Sequence, residues 1–140
     1  MDVSYILDDL NDAQRQAVTA ESQRLLVLAG AGSGKTKVLV HRIAWMIKAL
    51  NSSTHSVLAV TFTNKAANEM TSRIEQILSQ PIPEIWCGTF HSISNRILRR
   101  HHAQADLEKD FSILDSDDQL RIIKRICLLY TSDAADEVLG

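Results

Sequence analysis

The run Leu25-Leu26-Val27-Leu28, followed at once by AGAGSGKT from Ala29 to Thr36, constrains this chain more than any other stretch. A segment that is apolar at every position fits a parallel strand covered on both faces, and KVLVHRIAWMIKAL after the loop has the apolar spacing of a helix. A glycine-rich loop between strand and helix brings backbone N–H groups to the positive end of the helix dipole, where phosphates bind. Gly30, Gly32 and Gly34 can take the positive φ values that such a close approach needs. Lys35 would reach the β- and γ-phosphates of a nucleoside triphosphate, and the Thr36 hydroxyl would hold Mg2+. The pattern GxxxxGK[ST] asks for glycine at its first position; here Ala29 stands there and Gly30 follows one step later. The plainer reading is a glycine-rich turn that binds nothing, and it leaves the three glycines plus Lys-Thr, framed by strand and helix, without a purpose.

With 140 residues and 45% hydrophobic content the chain can bury a core, and its length predicts one domain. A formal charge of −2 argues against a wholly basic nucleic-acid module but leaves room for a local basic face. Cys87 and Cys127 are too few and too far apart for a disulfide framework or a clustered metal site, which fits a reducing cytoplasm. The start, MDVSYILDDLND, is acidic and interrupted by charge, so it reads neither as a secretion signal nor as a membrane anchor.

Along the chain, Asn11 is placed to cap a helix with Gln14 at its third position. A long helix after the loop ends near Asn51-Ser52-Ser53, a second strand covers Val57 to Thr61, and a helix carries Ala66, Ala67, Met70, Ile74 and Ile77. Pro81 and Pro83 break the pattern before a short strand, Ile85 to Gly88. The alternation predicts βαβαβ with an added first helix, hence an α/β fold with a parallel sheet whose ligands lie at the carboxyl ends of the strands. From Ser92 the alternation gives way to helices, SISNRILRRHH and then SDDQLRIIKRI with Asp115 as its cap. The basic run Arg99-Arg100-His101-His102 invites phosphate or metal binding, but adjacent histidines project in different directions on a helix, and a basic cluster at a helix end ordinarily complements the dipole.

Four motifs in this order, LNDAQ (Leu10 to Gln14), AGAGSGKT, TFTNKAANEM (Thr61 to Met70) and GTFHS (Gly88 to Ser92), resemble the UvrD/Rep/PcrA group of superfamily-one DNA helicases. The phrase ILDSDDQLRIIKR, Ile113 to Arg125, is similar to that family's helical insertion. The resemblance implies a P-loop NTPase (RecA-like) partial parallel sheet with flanking helices over residues 1–91, the start of a helical inserted subdomain over 92–126, and an anomalous tail over 127–140. It implies ATP and Mg2+ as cofactors and single-stranded and forked DNA as partners, with no membrane, and leaves protein partners open. The implied activity is ATP-driven translocation on single strands and unwinding of duplex, in DNA repair or replication.

By the same resemblance Ala29, Gly30, Ala31, Gly32, Ser33, Gly34, Lys35 and Thr36 hold the nucleotide phosphates, with Lys35 and Thr36 catalytic and Thr36 the Mg2+ ligand. Gln14 would hydrogen-bond the adenine edge, a role that coexists with helix capping. Lys37 stands near the base where relatives often have arginine, so planar stacking is in doubt there. Phe62, Asn64, Thr89 and His91 would line the DNA track; taken alone Phe62 reads as a core residue ending the second strand, but the polar Thr61, Thr63 and Asn64 around it favour a loop at the sheet's ligand-binding edge, and Asn68, Glu69 and Arg73 are a solvated helix face. No acidic strand-end motif for Mg2+ and no arginine finger is identifiable, and DAADE (Asp133 to Glu137) follows no buried strand, so the chain reads as an amino-terminal fragment, inactive by itself. From Cys127 the composition shifts to small and acidic residues, which suggests a foreign tail. The competing readings are a non-catalytic nucleotide-binding module and another P-loop ATPase.

Overall fold

A computed structural model describes residues 2–22 and 24–138, with side chains described as far as residue 131. It divides into two compact units, residues 1–100 and 101–140.

The first unit holds the sheet. In chain order it contains α1 (Asp12–Thr19), α2 (Lys35–Lys48), β1 (Leu58–Thr61), α3 (Asn64–Leu78), β2 (Trp86–Thr89) and α4 (Phe90–Arg100). β1 and β2 pair in parallel, with Leu58 opposite Trp86 and Thr61 opposite Thr89. Val40, Ile43, Ala44 and Ile47 recur at helical spacing on α2, and Met70, Ile74 and Leu78 on α3; these stripes bury against Val57, Ala59, Ile82 and Ile85 around the sheet. A smaller cluster, Leu10, Val18 and Val38, seats α1 on the start of α2.

Side chains that complete helix ends fix the neighbouring segments. Asn11 and Gln14 form a capping box on α1, the Thr63 side chain caps α3, and Ser79 takes a left-handed φ of 51° to stop that helix before the prolines. The half-buried Arg42 of α2 donates from Nη1 to the carbonyls of Ala17, Val18 and Ala20, closing the end of α1 at 2.8 to 3.1 Å. Buried His41 donates from Nδ1 to the Ile6 carbonyl at 2.6 Å, which fixes its tautomer because a carbonyl only accepts. Replacing Arg42 with alanine strands those carbonyls, and since a hydrogen bond from a charged group is worth roughly 1.5–3 kcal/mol, urea unfolding should show a loss of about that size. An unchanged midpoint would show that water takes over the arginine's role.

Two expectations need correction. Leu25 to Leu28 pairs with no strand among the described residues, so the sheet has two strands rather than three. Its exposures, 42, 80, 42 and 85%, alternate as on a strand with one face against the protein and the other in solvent. A ladder needs a neighbour's N–H and C=O groups, and no apolar pattern within the run can supply that neighbour. The last helix, α5 (Ser116–Val138), capped by Asp115 accepting from the Asp118 N–H at 2.8 Å, continues past the expected end near Ile126. Residues 127–138 contain neither glycine nor proline and include leucines and alanines, so nothing in the sequence breaks the helix there. α5 and its lead-in make up most of the second unit; Leu120, Ile123, Leu128 and Tyr130 are all at least half exposed or nearly so.

Candidate functional site

The loop before α2 adopts the geometry its glycines permit. Gly32 and Gly34 are left-handed, with φ of 74° and 82°, and Gly34 is the residue on which α2 begins. Ser33 tightens the turn by donating from Oγ to the Gly30 carbonyl at 2.6 Å. Lys35 starts the helix, and its ammonium donates to the carbonyls of Ala29 (3.0 Å) and Gly30 (3.3 Å). A phosphate would compete for this amine.

Gln14 reaches the same loop. Its Oε1 accepts from the Asn11 N–H while its Nε2 donates to the Ser33 carbonyl at 3.4 Å, so one side chain caps α1 and touches the loop. Gln14, Ala29, Ser33 and Lys35 line a cleft of about 290 Å³ with Asn11 and Leu28. A methyl group built on Gly34 would lie 2.7 Å from Gln14 Nε2. Gly34→Ala should therefore break the Gln14 contact and, because a left-handed non-glycine residue costs about 1–2 kcal/mol, lower the urea midpoint measurably. A midpoint equal to that of the parent sequence would contradict the left-handed start of α2.

A second cleft, of about 300 Å³, opens where α2 meets the end of β1 and the face of α3. Lys35 and Thr36 line it from α2, Val60 and Thr61 from β1, and Ala66, Glu69, Met70 and Arg73 from α3. Its hydroxyls and one carboxylate are hard oxygen donors, the chemistry that suits Mg2+ held mainly by phosphates and water. Lys37 points elsewhere: its ammonium donates to the Asp9 carbonyl at 2.5 Å, and it lines a separate cleft with His41 and Arg73.

The strand ends carry the remaining candidates. Because Thr61 pairs with Thr89, the residues that follow them, Phe62 and Phe90, emerge side by side with ring centroids 5.8 Å apart. Phe62 is 88% exposed and Phe90 57%, so neither is core. Asn64 opens α3 and His91 lies in the first turn of α4, both exposed. Thr89 has a structural task as well: its Oγ1 accepts from the Ser92 N–H at 3.2 Å at the start of α4. In the basic run, Arg100 lies 6.0 Å from the Trp86 ring centroid, beside Arg96 at 4.3 Å, and His102 bonds the Leu107 carbonyl at 3.2 Å.

Phe90 was not singled out from the sequence, although a signal was present: the dipeptide Thr-Phe occurs at 61–62 and again at 89–90, each time at a strand end. Glu69 and Arg73 show helical i, i+4 spacing, which reveals the pair but not the cleft it faces.

Together these features define a mixed α/β domain with a glycine-rich loop opening a helix and an exposed aromatic pair at the ends of its parallel strands. The profile of the UvrD/REP helicase N-terminal domain matches residues 10–138, and the chain belongs to that family. It is 60% identical over 126 residues to DNA helicase II of Escherichia coli, covering 90% of this chain and 18% of that protein. To DNA helicase II of Haemophilus influenzae it is 56% identical over 137 residues, 95% of this chain and 19% of the relative. To the ATP-dependent DNA helicase PcrA of Bacillus subtilis it is 49% identical over 123 residues, 88% of this chain and 17% of the relative. The chain thus spans less than a fifth of the length of these curated relatives. No helix among the described residues is long and apolar enough to cross a membrane.

Proposed function

We propose that the chain supplies the nucleotide-binding part of an ATP-dependent DNA helicase that translocates on single strands and opens forked duplex in DNA repair or replication, within the reducing cytoplasm. One observation carries this reading: the carboxyl end of β1 serves two sites at once, with Val60 and Thr61 lining the cleft of Lys35 and Thr36 while the next residue, Phe62, stands 88% exposed beside Phe90. In this reading the segment 1–91 is the first part of a RecA-like P-loop motor domain, 92–126 starts an inserted helical subdomain, and 127–140 is a tail joined to it. Sequencing the gene across codon 126 tests that last point, and an uninterrupted family frame in the genome would refute a foreign tail.

The loop from Ala29 to Thr36, with Gln14 beside it, would bind ATP. Lys35 would neutralise the terminal phosphates and Thr36 would hold Mg2+, which when bound spreads the charge of the transferred phosphoryl group. Gln14 would contact the adenine through whichever amide end leaves its cap or loop partner, and Lys37, whose ammonium now donates to the Asp9 carbonyl, would approach the base as a point charge without a stacking plane. On the DNA side Phe62 and Phe90 offer stacking faces, while Asn64, Thr89 and His91 offer polar contacts to the backbone or base edges. The test is binding in the complete protein that carries these residues: oligothymidylate and Mg-ATP should each bind, and each should be weakened by substitutions in its own site.

A further inference from the structure

Deepening that reading, we propose that Arg73 is a second phosphate-positioning side chain, held in place by Glu69 on the α3 wall of the cleft that Lys35 and Thr36 line. The proposal rests on the nucleotide assignment above and concerns the terminal phosphate. Three observations carry it. Arg73 and Glu69 line the same cleft as Lys35, Thr36 and Thr61, although they come from a different helix. They form an i, i+4 ion pair through Arg73 Nη2 and Glu69 Oε1, with side chains 47% and 51% exposed. A pair this exposed contributes little to stability, so packing does not account for the arrangement.

The contact with Glu69 engages only one edge of the guanidinium. Among the described residues Nη1 and Nε of Arg73 make no other hydrogen bond, and a planar fork so oriented can keep its carboxylate on one edge while offering the other to a phosphate oxygen. The charges also fit an anion: Lys35 and Arg73 are positive and Glu69 negative, leaving the cleft one positive charge over. Glu69 biases the arginine toward the cleft wall and offsets part of the cleft's positive charge. Because Lys35 serves the loop side of the cleft and Arg73 the α3 side, Arg73 should act most on the phosphate farthest from the base. It should therefore discriminate triphosphate from diphosphate.

The test uses the complete protein and calorimetric titration with Mg-ATP, in its nonhydrolysable form, and with Mg-ADP. Arg73→Ala should weaken the triphosphate roughly tenfold, the effect of losing one charged hydrogen bond, while diphosphate binding and melting temperature stay nearly constant. Arg73→Lys, which keeps the charge but loses the fork, should recover part of the discrimination. An unchanged ratio of the two affinities in Arg73→Ala would overturn the proposal, as would an early melt with both nucleotides weakened equally. Lys35→Ala separates this failure from a failure of the site itself. If that variant loses nucleotide binding while Arg73→Ala keeps the ratio, only the arginine's role falls; if Lys35→Ala binds normally, the nucleotide assignment falls and this inference with it.

Discussion

Phe62→Ala in the complete protein should lower single-strand affinity by about one to two orders of magnitude, since base–aromatic stacking is worth roughly 1–3 kcal/mol per base. Nucleotide affinity and melting temperature should scarcely change. A core phenylalanine would behave differently, because its removal opens a cavity costing roughly 3–5 kcal/mol and would damage every ligand together. The 88% exposure of Phe62 separates these cases in advance: there is almost no buried volume to lose. Phe90 should show a smaller effect in the same direction, because it is less exposed and acts as the neighbour that Phe62 tilts against at 50°. Fluorescence anisotropy on a labelled oligothymidylate measures both, and a Phe62→Ala protein that melts early and loses both ligands equally would remove the stacking role.

Lys35→Ala should have the opposite signature. The ammonium now donates to the Ala29 and Gly30 carbonyls, exposed groups that water can satisfy, so its removal leaves the fold nearly intact. Its transfer to a triphosphate would form charge-assisted hydrogen bonds, each worth roughly 1.5–3 kcal/mol, so Mg-ATP affinity should fall at least about tenfold. DNA binding without nucleotide should persist, because no candidate DNA-contacting residue lines the clefts that Lys35 enters. Titration of both ligands on the one variant checks this. Equal loss of DNA and nucleotide would mean that the two sites are not separable.

Local chemistry explains which features could be read in advance. Asn11 and Gln14 announce the start of α1 within four residues, and Thr63 does the same for α3, because capping uses side chains and N–H groups adjacent in the chain. The loop from Ala29 to Thr36 is legible for the same reason: left-handed positions at Gly32 and Gly34 and a lysine at the first helical turn are all local properties. Leu25 to Leu28 departs from its apolar pattern because a strand is a relation between segments, and the run's composition states only that it can be paired. The pairing of Thr61 with Thr89 is likewise non-local, and without it Phe90 looks like an ordinary first residue of a helix. Glu69 and Arg73 are exposed, as their helical stripe implies, but that spacing does not reveal the cleft whose wall they form.

The claim that one strand end couples a nucleotide cleft to a DNA track is tested most directly by phosphate release from the complete protein as oligothymidylate is titrated in. The parent sequence should hydrolyse ATP faster as DNA is added, and Lys35→Ala should release phosphate at the rate of a protein-free blank. Phe62→Ala should reach the same plateau but need about ten to one hundred times more DNA for half-maximal stimulation. Stimulation curves that coincide for Phe62→Ala and the parent sequence, or hydrolysis that survives Lys35→Ala, would contradict it.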